Sequence, residues 1–164
     1  MREIDKDGLI LCDIQSRAFE LSIIHQNSSS EIFIRRFMNS KIAKELDSLA
    51  LLESNLQAED LIERIDEQYG VSDYGSIKYT ANELHWIGYI YRYFAYTYER
   101  TSVQVYKTIK PKELRNLYFA YHTMDPAKAI DRILEAKGKS NIKLDINQQY
   151  EIYKRIRLKS KMCD

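Results

Sequence analysis

The sequence predicts an all-α protein, a single-domain irregular bundle of about six to eight helices. Only five Gly and two Pro interrupt 164 residues, so few positions force a helix to break. Apolar residues recur at intervals of three and four along most of the chain, the spacing of an amphipathic helix. Because a chain of this length fits one domain, we expect a single domain over residues 1–164, with flexible ends at 1–8 and 158–164.

The first predicted helix covers residues 8–25. Its inward stripe is expected to be Ile10, Ile14, Ala18, Leu21 and Ile24. Its outward side chains are expected to be Asp13, Gln15, Arg17 and Glu20. The letters LILC within it also fit a short strand, although no second good strand is available to pair with it.

Three further helices are predicted before residue 71. Ser28 lies three residues before Glu31, the spacing of a capping box that opens a helix. The pair Asn39-Ser40 fits an interruption between two shorter helices. A helix over 57–69 then ends at Gly70, where a left-handed C-cap residue usually lies.

A second capping box, Thr80 with Glu83, opens the most regular helix, which we expect to run from Leu84 to Glu99. Its core stripe is predicted to be Leu84, Ile87, Gly88, Tyr91, Phe94 or Ala95, and Tyr98. Four more apolar or small positions, Trp86, Ile90, Tyr93 and Thr97, widen the apolar arc. An arc this wide is typical of a helix surrounded by others, so this helix is predicted to be central.

Four helices are predicted after it. Thr101 and Gln104 form a third capping box, and Pro111 begins the next helix, which runs to Tyr121. Asp125-Pro126 opens a helix that stops at Gly138. Asp145 is predicted to cap a last helix with Ile146, Tyr150, Tyr153 and Ile156 inward and Lys154, Arg155, Arg157, Lys159 and Lys161 around its end.

Composition excludes several classes of function. The 25 Lys and Arg balance 24 Asp and Glu, so no strong overall field draws the chain to nucleic acid or membrane. Cys12 and Cys163 have neither the number nor the spacing of a disulfide framework or zinc site, which indicates reduced thiols. The charged start MREIDKDG is unlike a signal peptide, and no apolar run approaches ~20 residues. We therefore expect a cytoplasmic protein without membrane contact.

No metal or cofactor is predicted. The three histidines, His25, His85 and His122, lack the close spacing of metal ligands on a helix. The chain also lacks a glycine-rich phosphate loop, a nucleophile elbow and an HExxH motif.

Residues 84–125 hold eight of the thirteen tyrosines, the single Trp and two of the three His. Tyrosine rings with hydroxyls reaching the surface suit a partly wet core, and the same rings suit a recognition surface. The recognition interpretation uses Tyr89, Tyr93, Tyr96, Tyr106 and Tyr118 with Arg92, Arg100, Lys107 and Lys110. Both interpretations stay open, since helical periodicity cannot bury all eight tyrosines.

Arg115 and His122 lie seven residues apart, nearly two helical turns. With Asn116, this motif resembles the catalytic signature of HEPN ribonucleases. That resemblance implies that Arg115 stabilises phosphate charge, that His122 moves a proton and that Asn116 orients them. The alternative is that His122 caps a helix C-terminus and complements its dipole.

A DNA-binding helix-turn-helix is a further hypothesis for residues 99–118, although the turn holds Lys-Pro where a Gly is often found. The basic stretch from Lys154 to Lys161 is typical of a solvated helix end, and an RNA or toxin contact is its functional alternative.

Three motifs, EIFIRRFMNSKIAKELD, ELHWIGYIYRYFAYTYE and VYKTIKPKELRNLYFAYHTMDPAKAIDRILEAKG, resemble a family of small bacterial antitoxins found in cassettes with a toxin of ADP-ribosyltransferase-like fold. The similarity covers about residues 31–138. It implies a binding protein, not an enzyme, that neutralises a protein toxin by direct contact, and it carries no catalytic residues. A protein partner is thus favoured over nucleic acid. The expected contact residues are Trp86, Tyr89, Arg92, Tyr93, Tyr96, Arg100, Tyr106, Lys107 and Lys110.

Overall fold

A computed structural model describes residues 1–138 and 146–161 and confirms the all-α fold. Within these ranges the chain forms nine α-helices and one 3-10 turn, without a strand. The elements are α1 Lys6–His25, α2 Ser30–Met38, α3 Lys41–Asp47, the 3-10 turn Ala50–Glu53, α4 Ala58–Tyr69, α5 Ala81–Thr97, α6 Ser102–Thr108, α7 Pro111–Tyr121, α8 Pro126–Ala136 and α9 Ile146–Lys161.

The chain divides into two compact units, Met1–Ile130 and Asp131–Asp164. The predicted single domain and its flexible ends stay predictions. No helix within 1–138 or 146–161 has the length and apolar character needed to cross a membrane.

The helix ends follow local sequence closely. In α5 the Thr80 hydroxyl accepts a hydrogen bond from the Glu83 amide and the Glu83 carboxylate accepts one from the Thr80 amide. The box at Thr101 is formed in the same way, and Pro111 begins α7 as predicted. These predictions are confirmed because a capping box is made within one turn of chain and needs no distant partner.

Two predicted helix ends differ from the structure. The capping box at Ser28 is wrong: Ser29 caps α2, and its hydroxyl accepts a hydrogen bond from the Ile32 amide at 3.3 Å. Ser28 is instead buried, and its hydroxyl has no hydrogen-bond partner among the residues that the structure describes. Gly70 does end α4, with a φ of +79°, but its ψ of 160° lies outside the left-handed helical region.

The core of the first unit is built on α5, as predicted, and α1 packs along it. Gly88 lets the two helices approach closely. A Cβ atom at this position would lie 2.9 Å from Phe19 Cγ and 3.0 Å from the Gln15 carbonyl oxygen. The sequence therefore needs a residue without a side chain at this crossing.

The predicted inward stripe of α1 is wrong at both ends, because Ile10 is 47% exposed and Ile24 is 77% exposed. Gln15, predicted outward, is buried. Its amide donates to the Gly88 carbonyl at 3.0 Å, and its oxygen accepts from Arg92 at 2.8 Å. A polar side chain is stable inside a core when its hydrogen bonds are made, so partners on α5 decide which face of α1 is buried.

The expected core face of α9 is also wrong. Tyr150, Tyr153 and Ile156 are exposed, because periodicity places apolar side chains on one face without supplying a surface to cover them. The predicted cap Asp145 lies outside the described residues.

Cys12 is fully buried, and burial raises the pKa of its thiol to about 12. Since the thiolate is the reactive species, native protein carrying Cys163→Ser should not react with a thiol reagent such as DTNB at pH 8, whereas the same protein unfolded in guanidinium should react at once. Rapid labelling of the folded variant would show that Cys12 is accessible to solvent.

Candidate functional site

Arg92 is a core residue, and its predicted role as a partner contact is wrong. It is 1% exposed. Its guanidinium donates to the Gln15 amide oxygen at 2.8 Å, to Asp47 Oδ1 at 2.7 Å and to Ser102 Oγ at 2.6 Å. These bonds join α1, α3 and the start of α6 around α5, so no part of the side chain is left for a partner.

Three more predicted contacts on α5 are buried: Trp86, Tyr93 and Tyr96 are 9%, 8% and 7% exposed. The Tyr96 hydroxyl donates to Asp5 Oδ1 at 2.5 Å and accepts from Arg2 at 3.0 Å. These three rings are therefore not the exposed anchors that a recognition surface needs, because α1, α6 and α7 all pack on α5.

The other predicted contacts lie at the surface. Arg100, Lys107 and Lys110 are exposed, and Tyr89 and Tyr106 are half-buried. The Lys110 ammonium lies 4.1 Å from the centre of the Tyr106 ring, a cation–π contact. The role of these five residues in partner binding stays a prediction.

Arg115 joins α7 to the start of α5. Its Nε donates to Glu83 Oε2 at 3.1 Å, and its guanidinium lies 4.3 Å above the centre of the Tyr79 ring. The Tyr79 hydroxyl in turn donates to Glu31 at 2.6 Å. The charge of Arg115 is thus already matched by a carboxylate, which is the arrangement of a structural clamp.

His122 lies at the C-terminal end of α7, about 10 Å along the helix axis from Arg115 at 1.5 Å per residue. It is the C-cap residue of α7, as the capping interpretation predicted. Its Nδ1 lies 2.8 Å from the Tyr118 carbonyl oxygen. A carbonyl only accepts hydrogen bonds, so Nδ1 carries the proton and Nε2 of the neutral ring is left as an acceptor. Asn116 is exposed on the same helix.

A groove of about 380 Å³ lies where α5 meets the end of α7. Its lining includes Asn82, His85, Trp86 and Tyr89, which form one stripe of α5, and Tyr118 and His122 of α7. We call this site the aromatic–histidine groove. Arg115 is not part of its lining, so the two residues of the ribonuclease hypothesis are not brought into one cavity.

The rings of the groove contact one another. Tyr118 meets Trp86 edge to face at a centroid distance of 5.8 Å and stacks on His122 at 4.4 Å. His85 Nδ1 lies 3.0 Å from Glu20 Oε2. An ionised carboxylate only accepts, so this Nδ1 also carries the proton, and Nε2 of the neutral ring is the free acceptor.

A second surface was not predicted. Five large apolar or aromatic side chains at one end of the first unit are exposed. They are Ile24 at 77%, Tyr69 at 38%, Val71 at 76%, Tyr74 at 73% and Ile77 at 66%. We call this surface the apolar end.

Hydrogen bonds bring the parts of the apolar end together. Lys78 Nζ donates to the Gln26 carbonyl at 2.6 Å, and the Gln26 side chain donates to Asp66 at 3.0 Å. The Ser29 amide donates to the Tyr74 carbonyl at 2.9 Å. The ends of α1 and α4 and the segment 70–79 therefore meet. The available sequence signal was three large apolar residues within a stretch of turn chemistry, 70–77.

No family model, curated protein or solved structure matches this chain. Within the described ranges, no group of three or more His, Cys, Asp or Glu side chains is placed to hold a metal ion.

Proposed function

We propose that this protein is an antitoxin that neutralises a toxin enzyme by direct protein–protein contact, and that the apolar end is its contact surface. The observation that carries the proposal is the exposure of five large side chains on one end of a well-packed unit. Single exposed apolar residues are ordinary, whereas a group of them around one site marks an interaction surface.

The composition of the apolar end suits a protein interface. Tyr69 and Tyr74 are of the type that dominates binding energy at interfaces, and Val71 and Ile77 add aliphatic area. The exposed Asp73 lies between them in sequence and the half-buried Lys78 directly follows Ile77, and charged groups beside an apolar centre form the polar rim of many interfaces.

The resemblance to antitoxins supplies the biological role and the partner, a protein toxin of ADP-ribosyltransferase-like fold. A binder of this kind covers or distorts the active site of the toxin, so it needs shape and anchor residues and no chemistry of its own. The clamp made by Arg115 also favours binding over catalysis. In the ribonuclease hypothesis this guanidinium must face a phosphate, and here it faces Glu83 and Tyr79.

Growth of cells is the first test. Expression of this chain alone is expected to be harmless, and its co-expression with the toxin encoded by the neighbouring gene is expected to restore growth. Growth arrest by this chain alone would reverse the roles and favour the ribonuclease hypothesis. RNA cleavage by purified protein that is lost in both Arg115→Ala and His122→Ala would do the same.

The contact surface is tested by substitution. The double variant Tyr74→Ser/Ile77→Ser should weaken toxin binding by at least ~2 kcal/mol, about 30-fold in Kd, because it removes two anchors from the centre of the surface. Isothermal titration calorimetry measures the loss, and circular dichroism checks the fold.

Phe119→Ser is the matched control, because Phe119 is 89% exposed on α7, so the change removes an equally large exposed ring from another surface. Its binding should equal that of the native protein. If Tyr106→Ala/Lys110→Ala abolishes binding and Tyr74→Ser/Ile77→Ser does not, the interface lies on α6 and α7, with the residues predicted from the sequence, and the apolar end is not the contact.

A further inference from the structure

The aromatic–histidine groove shares no residue with the apolar end, and the proposed function leaves it unexplained. We propose that this groove binds a purine base, with adenine as the best fit. Its volume of about 380 Å³ lies within the range of about 300–1,000 Å³ typical of small-molecule sites. The inference does not depend on the antitoxin role.

The aromatic lining indicates a planar ligand. His122 is exposed and lies flat against Tyr118, with an interplanar angle of 19°. One face of the imidazole is therefore covered, and the other is left for a further ring to continue the stack. Tyr89 is half-buried in the same groove and offers a second aromatic surface. Bases bind in this way to aromatic side chains in many nucleotide-binding proteins.

The polar lining indicates which planar ligand fits. Because Nδ1 of His85 is held by Glu20, its neutral ring presents Nε2 as an acceptor. An exocyclic amino group supplies the matching donor. Asn82 is exposed at the same groove, and an asparagine amide pairs with the donor and acceptor that adenine presents at N6 and N7. A ligand without hydrogen-bonding groups would leave both His85 and Asn82 unpaired.

The charges that line the groove indicate which part of a nucleotide it recognises. Neither Lys nor Arg belongs to its lining among the described residues, so the lining offers no side-chain cation to pair with a phosphate. We therefore expect the base to carry the recognition. Adenosine and adenosine monophosphate should bind with similar affinity, and ribose 5-phosphate should not bind.

Trp86 reports on this site directly, because it is the single Trp of the chain and belongs to the groove lining. Titration of the full-length protein with adenosine, followed by Trp fluorescence with inner-filter correction, is expected to give a saturable change. Adenosine monophosphate should give a Kd within about three-fold of it, since the expected interactions are the same. Calorimetry with adenosine should give the same Kd.

His122→Ala and Asn82→Ala should each weaken adenosine binding by about ten-fold or more, because one removes the stacking surface and the other the paired amide. Asn116→Ala and Phe119→Ala, exposed on α7 outside the groove lining, should bind as the native protein does. Thermal unfolding confirms that all four variants are folded.

The proposal is overturned if adenosine produces no saturable change in both fluorescence and calorimetry. It is also overturned if ribose 5-phosphate competes with adenosine, or if His122→Ala and Asn82→Ala bind as the native protein does. A uridine Kd equal to that of adenosine would overturn the assignment to a purine.

Binding of oligoadenylate at least 100-fold tighter than adenosine would show instead that the groove belongs to a single-stranded RNA site. Loss of toxin binding in the apolar-end variants with adenosine binding intact separates the two proposals.

Discussion

Arg92→Met is expected to lower the free energy of unfolding by about 3–5 kcal/mol, since removal of one partner from a buried ion pair leaves the other charge unpaired. The Arg92 side chain is 1% exposed and that of Asp47 is 15% exposed, with 2.7 Å between Nη1 and Oδ1. The substitution also takes a hydrogen-bond donor away from Gln15 and from Ser102. Urea unfolding followed by circular dichroism measures the change.

An exposed pair on the surface provides the control. Arg64 and Glu67 lie 3.8 Å apart with side chains 53% and 66% exposed, and an ion pair of this kind contributes about 0–1 kcal/mol. Arg64→Met should therefore change stability by less than ~1 kcal/mol. A similar small effect of Arg92→Met would mean that the buried pair is not a structural element of the core.

A double variant distinguishes the unpaired charge from lost packing. Asp47→Asn removes the carboxylate charge but keeps an oxygen that can accept from Ser102, which donates to Asp47 through its amide and its hydroxyl. In the Arg92→Met background this change should therefore recover at least ~1 kcal/mol. No recovery would assign the whole loss to packing around α5.

Gly88→Ala is the second large effect, and two opposing terms decide its sign. Alanine is favoured over glycine in a helix by ~1 kcal/mol. Against this, the new methyl group would lie 3.0 Å from the Gln15 carbonyl oxygen, a backbone atom that cannot rotate away. Overpacking of this kind typically costs ~1–3 kcal/mol. We therefore expect a net loss of stability of up to about 2 kcal/mol, measured by urea unfolding.

Asn116→Ala provides the reference for helix propensity alone, because Asn116 is exposed in the middle of α7. It should leave stability unchanged or raise it by a few tenths of a kcal/mol. A stabilising effect of Gly88→Ala comparable to that of Asn116→Ala would contradict the close crossing of α1 and α5.

Local chemistry made the helices predictable. The boxes at Thr80 and Thr101 and the proline start of α7 are formed by residues within one turn of chain, so the letters alone carry the information. Where two neighbouring residues can both act as the N-cap, the sequence alone does not decide between them. The Ser28 box was predicted, but Ser29 is the N-cap of α2, and its amide donates to the Tyr74 carbonyl in a distant segment.

Part of the aromatic–histidine groove could also be predicted from local sequence. The spacing of Asn82, His85, Trp86 and Tyr89 places them on one stripe of a helix. Tyr118 and His122 contact this stripe because of the way α7 packs on α5. Local sequence patterns do not predict that packing. The separation of Arg115 and His122, about 10 Å along α7, follows from their spacing in the sequence. Packing decides only that Arg115 contacts Glu83 and that His122 lines the groove.

By itself, the sequence determined the helical class, most helix boundaries and the central place of α5, because these follow from capping groups and apolar spacing. Only the tertiary structure decided which polar residues are buried and which apolar residues are exposed. Gln15 and Arg92 enter the core because each finds a partner on another helix, which removes the cost of burying them. Ile24 and Tyr74 remain outside because no described element covers that end. Burial depends on long-range contacts, and those contacts are absent from any single window of sequence.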